Sequence, residues 1–320
     1  MLLFCIHLPL SYKTMSTIVD PGDTVIIEAP SYPGTLSILK PLGCNVVSIP
    51  VDADGLPPQL LQRALVDAQQ QGRRVKAICI IPNGQNPSGC TMSLERRRQV
   101  YALARDANVL IVEDDPYYFL QYGSGSSSSS SSSSSTYTPS FLSMDVDGRV
   151  IRTDSFSKVL SAGLRVGLLT GPPPLIGRVT LMQQASALHT SGISQALLVS
   201  VLDSWGPKGW DRHVANVQGV YARRRDWMLG FCDRHLQGKA TWTAPSAGMF
   251  LWLHLTHVRD SRALIQEKAR ERKVLLVPGA DFSSEAGAVS QCVRASFSTA
   301  SAADMEEAVR LCRNCVTCDA

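Results

Sequence analysis

The feature that most restricts the fold of this chain is a regular alternation of short apolar runs with stretches of helical spacing. Runs of this kind fall at 24–29, 45–50, 76–82, 109–114, 150–156 and 166–171. They are mostly apolar, as expected of strands covered on both faces. Between the third and the fourth, Ser93 can cap a helix whose apolar positions Leu94, Val100, Tyr101, Leu103 and Ala104 lie largely on one side. Buried strands alternating with helices predict an α/β domain built on a mostly parallel mixed sheet. Beyond Gly192 the pattern changes. Helices are expected at 192–202 and 210–232, strand-like runs at 248–255 and 274–277, and a helix at 261–272 between the last two. The division is drawn at 1–200 for a large α/β domain and 201–320 for a smaller α+β domain, which suits a chain of 320 residues. One segment stands apart: Gly123-Ser124-Gly125 and ten serines from Ser126 to Ser135 cannot bury apolar area, so 123–136 is expected as a surface insert.

Charge and cysteine content exclude several classes of function. A net charge of +4 and the lack of basic clusters with interleaved aromatics argue against nucleic acid. Arg96-Arg97-Arg98 and Arg223-Arg224-Arg225 read as solvated helix faces. Nine cysteines, an odd number spread along the chain, point to free thiols in a reducing compartment. Cys312, Cys315 and Cys318 would need a fourth ligand to form a metal cluster, and they fall at the end of a helix begun near Asp304; His254 and His257 lack a third ligand. No metal and no membrane partner is expected. The apolar start, 1–10, is too short to span a bilayer and lacks the basic region and cleavage site of a signal peptide.

The chemistry concentrates after the strands. In Ser155-Phe156-Ser157-Lys158 a lysine follows an apolar strand within a Ser-rich turn, and Arg165 stands seven positions on. Such a turn can hold an amine for Schiff-base chemistry beside a phosphate. Asn86, Asp115 and Lys158 each follow a strand candidate, and ligands of open α/β sheets gather at the carboxyl ends of strands. Pyridoxal 5′-phosphate needs such an amine, a carboxylate at its ring nitrogen, donors to its ring oxygen, a phosphate cradle and a cation for the substrate carboxylate. Lys158 suits the first role, with proton transfer to follow. Asp115 suits the second, and Asn86 and Tyr118 the third. Ser155, Ser157 and Arg165 suit the fourth, and Arg294 the last, where a guanidinium grips a carboxylate bidentately. Taken singly these residues keep other readings: Asp115 as a turn cap before Pro116, Glu113-Asp114-Asp115 as a cation site, Tyr118 as core, Arg294 as a surface ion pair.

In their order along the chain, Pro82-Asn83-Gly84-Gln85-Asn86-Pro87-Ser88-Gly89, Glu113-Asp114-Asp115-Pro116-Tyr117-Tyr118, the Lys158 turn and Arg294-Ala295-Ser296-Phe297-Ser298 resemble the class I aminotransferases that use pyridoxal 5′-phosphate. Longer runs, among them 111–121, 141–152 and Ala247-Gly248-Met249-Phe250-Leu251-Trp252, resemble the kynurenine/2-aminoadipate aminotransferases from about Asp20 nearly to the C-terminus. The resemblance implies a fold-type I homodimer in the mitochondrial matrix or cytoplasm, moving an amino group from L-2-aminoadipate or L-kynurenine to 2-oxoglutarate. It also implies Tyr32 over the cofactor ring and Asn86 sharing the substrate carboxylate with Arg294. That family carries a long segment before Pro21-Gly22-Asp23, with a strand, part of the substrate lid and a Gly-Ser-Gln-Gln type turn whose helix N-terminus binds phosphate. Met1–Ser16 has no such turn, His7-Leu8-Pro9-Leu10-Ser11 standing in its place, so half the phosphate cradle and a strand are expected to be missing. The alternatives are a truncated, non-catalytic dimer partner or another fold-type I reaction such as a β-lyase.

Overall fold

The computed structural model describes residues 2–5, 7–122 and 137–316; the serine insert and Cys318 lie outside them. Seven strands make the larger sheet: β1 (Leu2–Cys5), β2 (Thr24–Ala29), β3 (Asn45–Pro50), β4 (Val75–Ile80), β5 (Leu110–Asp114), β6 (Val150–Ser155) and β7 (Gly167–Thr170). Their order is β1-β7-β6-β5-β4-β2-β3. Every pair from β6 to β3 is parallel, while β7 runs antiparallel to both of its neighbours. The six strands expected from sequence are present, each within two residues of its expected limits. The front of the chain differs from expectation. Leu2–Cys5 pairs with β7 and closes the sheet as an edge strand, where the sequence reading expected a strand to be missing.

Alternation along the strands assigns every side chain to one of two layers. Val25, Ile27, Ala77, Val112, Ile151 and Leu169 face helices α1 (His7–Ile18), α2 (Pro33–Leu39) and α6 (Pro173–Ala187). Ile26, Ile78, Ile80, Ile111 and Val150 face α3 (Pro58–Gln70), α4 (Leu94–Asp106) and the single turn α5 (Phe141–Met144). Ser93 does cap α4, its hydroxyl accepting from the Arg96 amide at 3.3 Å. The arginine runs correct the sequence reading. Arg97 is wholly buried between α4 and the sheet, and Arg225 is also buried, donating to the Pro245 carbonyl, so neither run is a simply solvated face.

Helix α7 (Gly192–His235) leads from the large sheet to the small one and breaks at Gly206, whose φ of 57° and ψ of −177° precede Pro207. Glycine is the residue able to hold that geometry, and the proline can begin the next helical stretch without an amide hydrogen. Four antiparallel strands follow in the order β10-β11-β9-β8: β8 (Ala240–Thr241), β9 (Phe250–Leu255), β10 (Val277–Pro278) and β11 (Cys292–Ser296). They pack on the end of α7, on α8 (Ser261–Ala263) with its π-helical continuation Leu264–Ala269, and on α9 (Ala302–Val316). Cys312 and Cys315 are buried in this core, whereas His254 and His257 are exposed. Among the described residues no helix is long and apolar enough to cross a membrane.

Candidate active site

The carboxyl ends of β4, β5 and β6 open on a cavity of about 310 Å³. Strand parity decides which residues reach it. On β5, Asp114 shares the side of Val112, and on β6, Ser155 shares the side of Ile151 and Thr153. Asp114 and Ser155 therefore line the cavity together with Lys158, and the Thr153 hydroxyl donates to Asp114 Oδ1 at 2.7 Å. Tyr117, one turn beyond Asp114, lines it too. The pair singled out from sequence, Asp115 and Tyr118, is placed elsewhere. Asp115 points to the other layer, accepting from Asn83 Nδ2 at 2.7 Å and lying 3.2 Å from Arg152. Tyr118 stacks on Tyr137 and carries the Arg152 guanidinium over its ring. The correction is one residue in register: neighbouring side chains on a strand face opposite ways.

Lys158 sits in the turn after β6 and is half-buried. Burial, with Arg165 and Arg294 adding to it, lowers its amine below the ordinary lysine range. That shift favours the neutral, nucleophilic amine. Ser155 and Ser157 lie beside it in the cavity wall, the Ser157 amide donating to the Ser155 hydroxyl at 3.2 Å. Arg165 faces the same space from a left-handed backbone conformation, φ 54°. That conformation is sparsely populated by residues other than glycine, and the Arg165 Nη1 donates to the Ala162 carbonyl at 3.3 Å. One cation and two hydroxyl side chains thus line the same space.

The opposite wall belongs to the small sheet. Arg294, on β11, donates from Nη1 to Asn86 Oδ1 at 2.9 Å. Its guanidinium carbon lies 4.2 Å from the Phe250 ring centre and 5.1 Å from that of Phe282. The two rings pack against the group, and among the described residues its Nε is buried without a hydrogen-bond partner. A guanidinium that lines a cavity is suited to an incoming carboxylate. What brings the two walls together is a backbone contact. A Cβ on Gly84 would fall 2.6 Å from the Gly248 nitrogen, and both glycines have positive φ. No larger residue allows this approach. Tyr32, at the start of α2, closes the cavity from the side, its hydroxyl pushed up by burial and by Asp114.

The donor set, an amine, a buried carboxylate, a phenol, a hydroxyl-and-guanidinium cradle and a second guanidinium, fits a phosphorylated pyridine aldehyde. The model of the family described as aminotransferase class I and II matches residues 11–311. The chain belongs to the class I and II aminotransferases. It is 42% identical over 302 residues to the mitochondrial kynurenine/alpha-aminoadipate aminotransferase of Mus musculus, covering 92% of this chain and 68% of that relative. Its fold matches the kynurenine aminotransferase of Pyrococcus horikoshii, solved in complex with PMP, KYN and KYA, at a TM-score of 0.89 and 27% identity over 99% of this chain and 72% of that one. It also matches the alpha-aminoadipate aminotransferase LysN of Thermus thermophilus, complexed with N-(5′-phosphopyridoxyl)-L-leucine, at 0.88 and 26% over 99% and 77%. Fold type I and a pyridoxal phosphate cofactor follow from membership.

Sequence reasoning missed Asp114, Tyr117 and Phe250, which line this aminotransferase's cavity, and the buried Phe282, which packs against Arg294. Spacing alone could not choose between Asp114 with Tyr117 and Asp115 with Tyr118, since both pairs are three apart. Matching the parity of β5 to that of Thr153 and Ser155 on β6 would have separated them, but only with the strand register known.

Proposed function

We propose that this aminotransferase moves the amino group of L-2-aminoadipate or L-kynurenine to 2-oxoglutarate, using pyridoxal 5′-phosphate held at Lys158. The observation that carries the reading is the meeting of Lys158, Asp114, Tyr117 and the Asn86–Arg294 pair in one cavity. When bound, the cofactor supplies the aldehyde that receives the amino group and a ring that takes up electron density. Ser155, Ser157 and Arg165 hold its phosphate. Asp114, anchored by Thr153, holds a proton on the ring nitrogen, and Tyr117 with Asn86 donates to the ring oxygen. Arg294 binds the substrate α-carboxylate from its aromatic sandwich, with Asn86 sharing the contact. Lys158, whose amine is held more in its neutral form by burial, would take the proton from the substrate Cα.

In this reading 1–200 carries the cofactor side and 201–320 brings the carboxylate-binding arginine. The exposed apolar side chains Leu181 of α6, Ile193 and Leu197 of α7 and Leu188 between the two helices support a homodimer. Kinship with a relative named as mitochondrial supports the matrix, with the cytosol as the other site. The test is a half-reaction: purified chain loaded with pyridoxal phosphate is mixed with each amino acid and the oxo acid product is measured. Stoichiometric product from wild type and none from Lys158→Ala is expected. Equal yields from both would refute the assignment of Lys158.

A further inference from the structure

Directly behind the cavity wall lies a buried polar cluster that takes no part in the chemistry above. Asp115 Oδ2 accepts from Asn83 Nδ2 at 2.7 Å and meets Arg152 Nη1 at 3.2 Å. Asn83 Oδ1 in turn accepts from Arg97 Nη2 at 2.7 Å. Arg97 also donates to the carbonyls of Met92, Pro82 and Pro139. Arg152 reaches Glu113 Oε1 at 3.1 Å and Asp154 at 2.6 Å, and Glu113 accepts from the amides of Phe141 and Leu142. Asn83, Arg97, Glu113, Asp115 and Arg152 are all buried.

The cluster ties together the three segments that supply the cavity. The 82–89 loop gives Asn83 to the cluster and Asn86 to the cavity. The end of β5 gives Asp115 to the one and Asp114 to the other. Strand β6 gives Arg152 and Asp154 to the cluster and Ser155 to the cavity. Each of these cavity residues is thus within three positions of a residue locked behind it. We infer that Asn83 and Arg152, acting through Asp115, are positioning residues that set the spacing of Asn86, Asp114 and Ser155 around the cofactor.

Asn83 is chemically constrained. Its amide faces an anion with its NH₂ and a cation with its oxygen, so it orients both. An aspartate there would turn a carboxylate on Asp115, and an aliphatic residue would satisfy neither side. Arg152 is constrained as well: its planar fork grips Glu113, Asp115 and Asp154 at once, which a lysine's single ammonium cannot reproduce. Removing one member leaves the others charged and desolvated, which converts a local substitution into a shift of all three segments.

This inference rests on the pyridoxal phosphate reading, and its test separates the two. The cofactor-free chain is titrated with pyridoxal 5′-phosphate, following absorbance, for wild type, Asn83→Asp, Arg152→Met and the milder Asn83→Gln and Arg152→Lys. The pH midpoint of the bound absorbance and the melting temperature are recorded alongside. Expected is an affinity loss of about tenfold or more in Asn83→Asp and Arg152→Met, with a displaced pH midpoint, and a smaller loss in the mild pair. A lowered melting temperature with wild-type affinity and midpoint in the folded variants would overturn the positioning role. Should Asn83→Asp or Arg152→Met not fold, the mild pair decides by the same two readings. A folded wild-type chain that binds no pyridoxal phosphate would refute the underlying reading, and the inference with it.

Discussion

Asp114 and Asp115 are adjacent, both are buried, and their surroundings are opposite. On the Asp114 side polar residues line an open cavity: Lys158, Arg165 and Arg294. On the Asp115 side arginine, asparagine and carboxylates are paired with one another through Asp115 Oδ2, while Asp115 Oδ1 is buried without a hydrogen-bond partner among the described residues. The difference teaches how one strand end serves two purposes. Its even-numbered positions present chemistry to a ligand, and its odd-numbered positions fasten the strand to its neighbours. Burial pushes Asp115 up to about 7, against the opposing pull of Arg152.

Substitutions that break one side and spare the other sharpen this comparison. The largest effect belongs to Lys158→Ala, which abolishes amino-group transfer in a steady-state assay, because no other lysine among the described residues lines the cavity. Asp114→Asn comes next. With saturating cofactor its turnover falls by about 10²-fold or more, the scale of a lost acid–base contribution. Asp115→Asn, by contrast, costs about 3 kcal/mol of stability through its stranded partner, measured by urea unfolding, while saturated turnover falls less than about tenfold. Equal kinetic defects in the two variants would erase the distinction drawn here. Phe282→Leu has a smaller effect. It loosens the sandwich on Arg294, worth about 1–2 kcal/mol when desolvated, and raises KM for the acidic substrate several-fold with kcat nearly unchanged.

A pH-dependent effect on stability concerns Glu28, near the end of β2. Burial, offset in part by the Ile81 amide and Gln85 and reinforced by Asp114, pushes its carboxyl up to about 8 from 4.5. Between those values the folded chain holds a proton that the unfolded chain releases. Its contribution to stability is therefore complete below about pH 4.5 and is lost as pH rises through 8. Glu28→Gln should flatten this part of the slope, so that the urea midpoints of variant and wild type diverge in the variant's favour from about pH 5 to about pH 9.

The layer architecture was legible because a doubly covered sheet writes itself as repeated apolar runs between amphipathic helices. Lys158, Ser155, Arg165 and Arg294 could be singled out because their order along the chain with 82–89 and 113–118 resembles the family, although each alone keeps a structural reading. The same double burial hid the choice between Asp114 and Asp115. Where both faces of a strand are apolar, hydropathy carries no parity, and Leu110-Ile111-Val112 does not say which side Asp114 will take. The buried Arg97 was hidden for a related reason. In Arg96-Arg97-Arg98 only the fold distinguishes the member that turns inward to meet Asn83 and the loop carbonyls. Leu2–Cys5 escaped notice because a four-residue strand at a sheet edge has too little pattern to separate from any short apolar run.

The most direct test of the central claim is to mix the purified chain with pyridoxal 5′-phosphate, reduce with borohydride and map the labelled peptide, in wild type and in Asp114→Asn and Asp115→Asn. The account predicts one label, on Lys158, in all three. It also predicts that the pH midpoint of the visible band before reduction moves further in Asp114→Asn than in Asp115→Asn. A folded wild-type chain with no label, a label on another lysine, or a larger spectral shift in Asp115→Asn would contradict it.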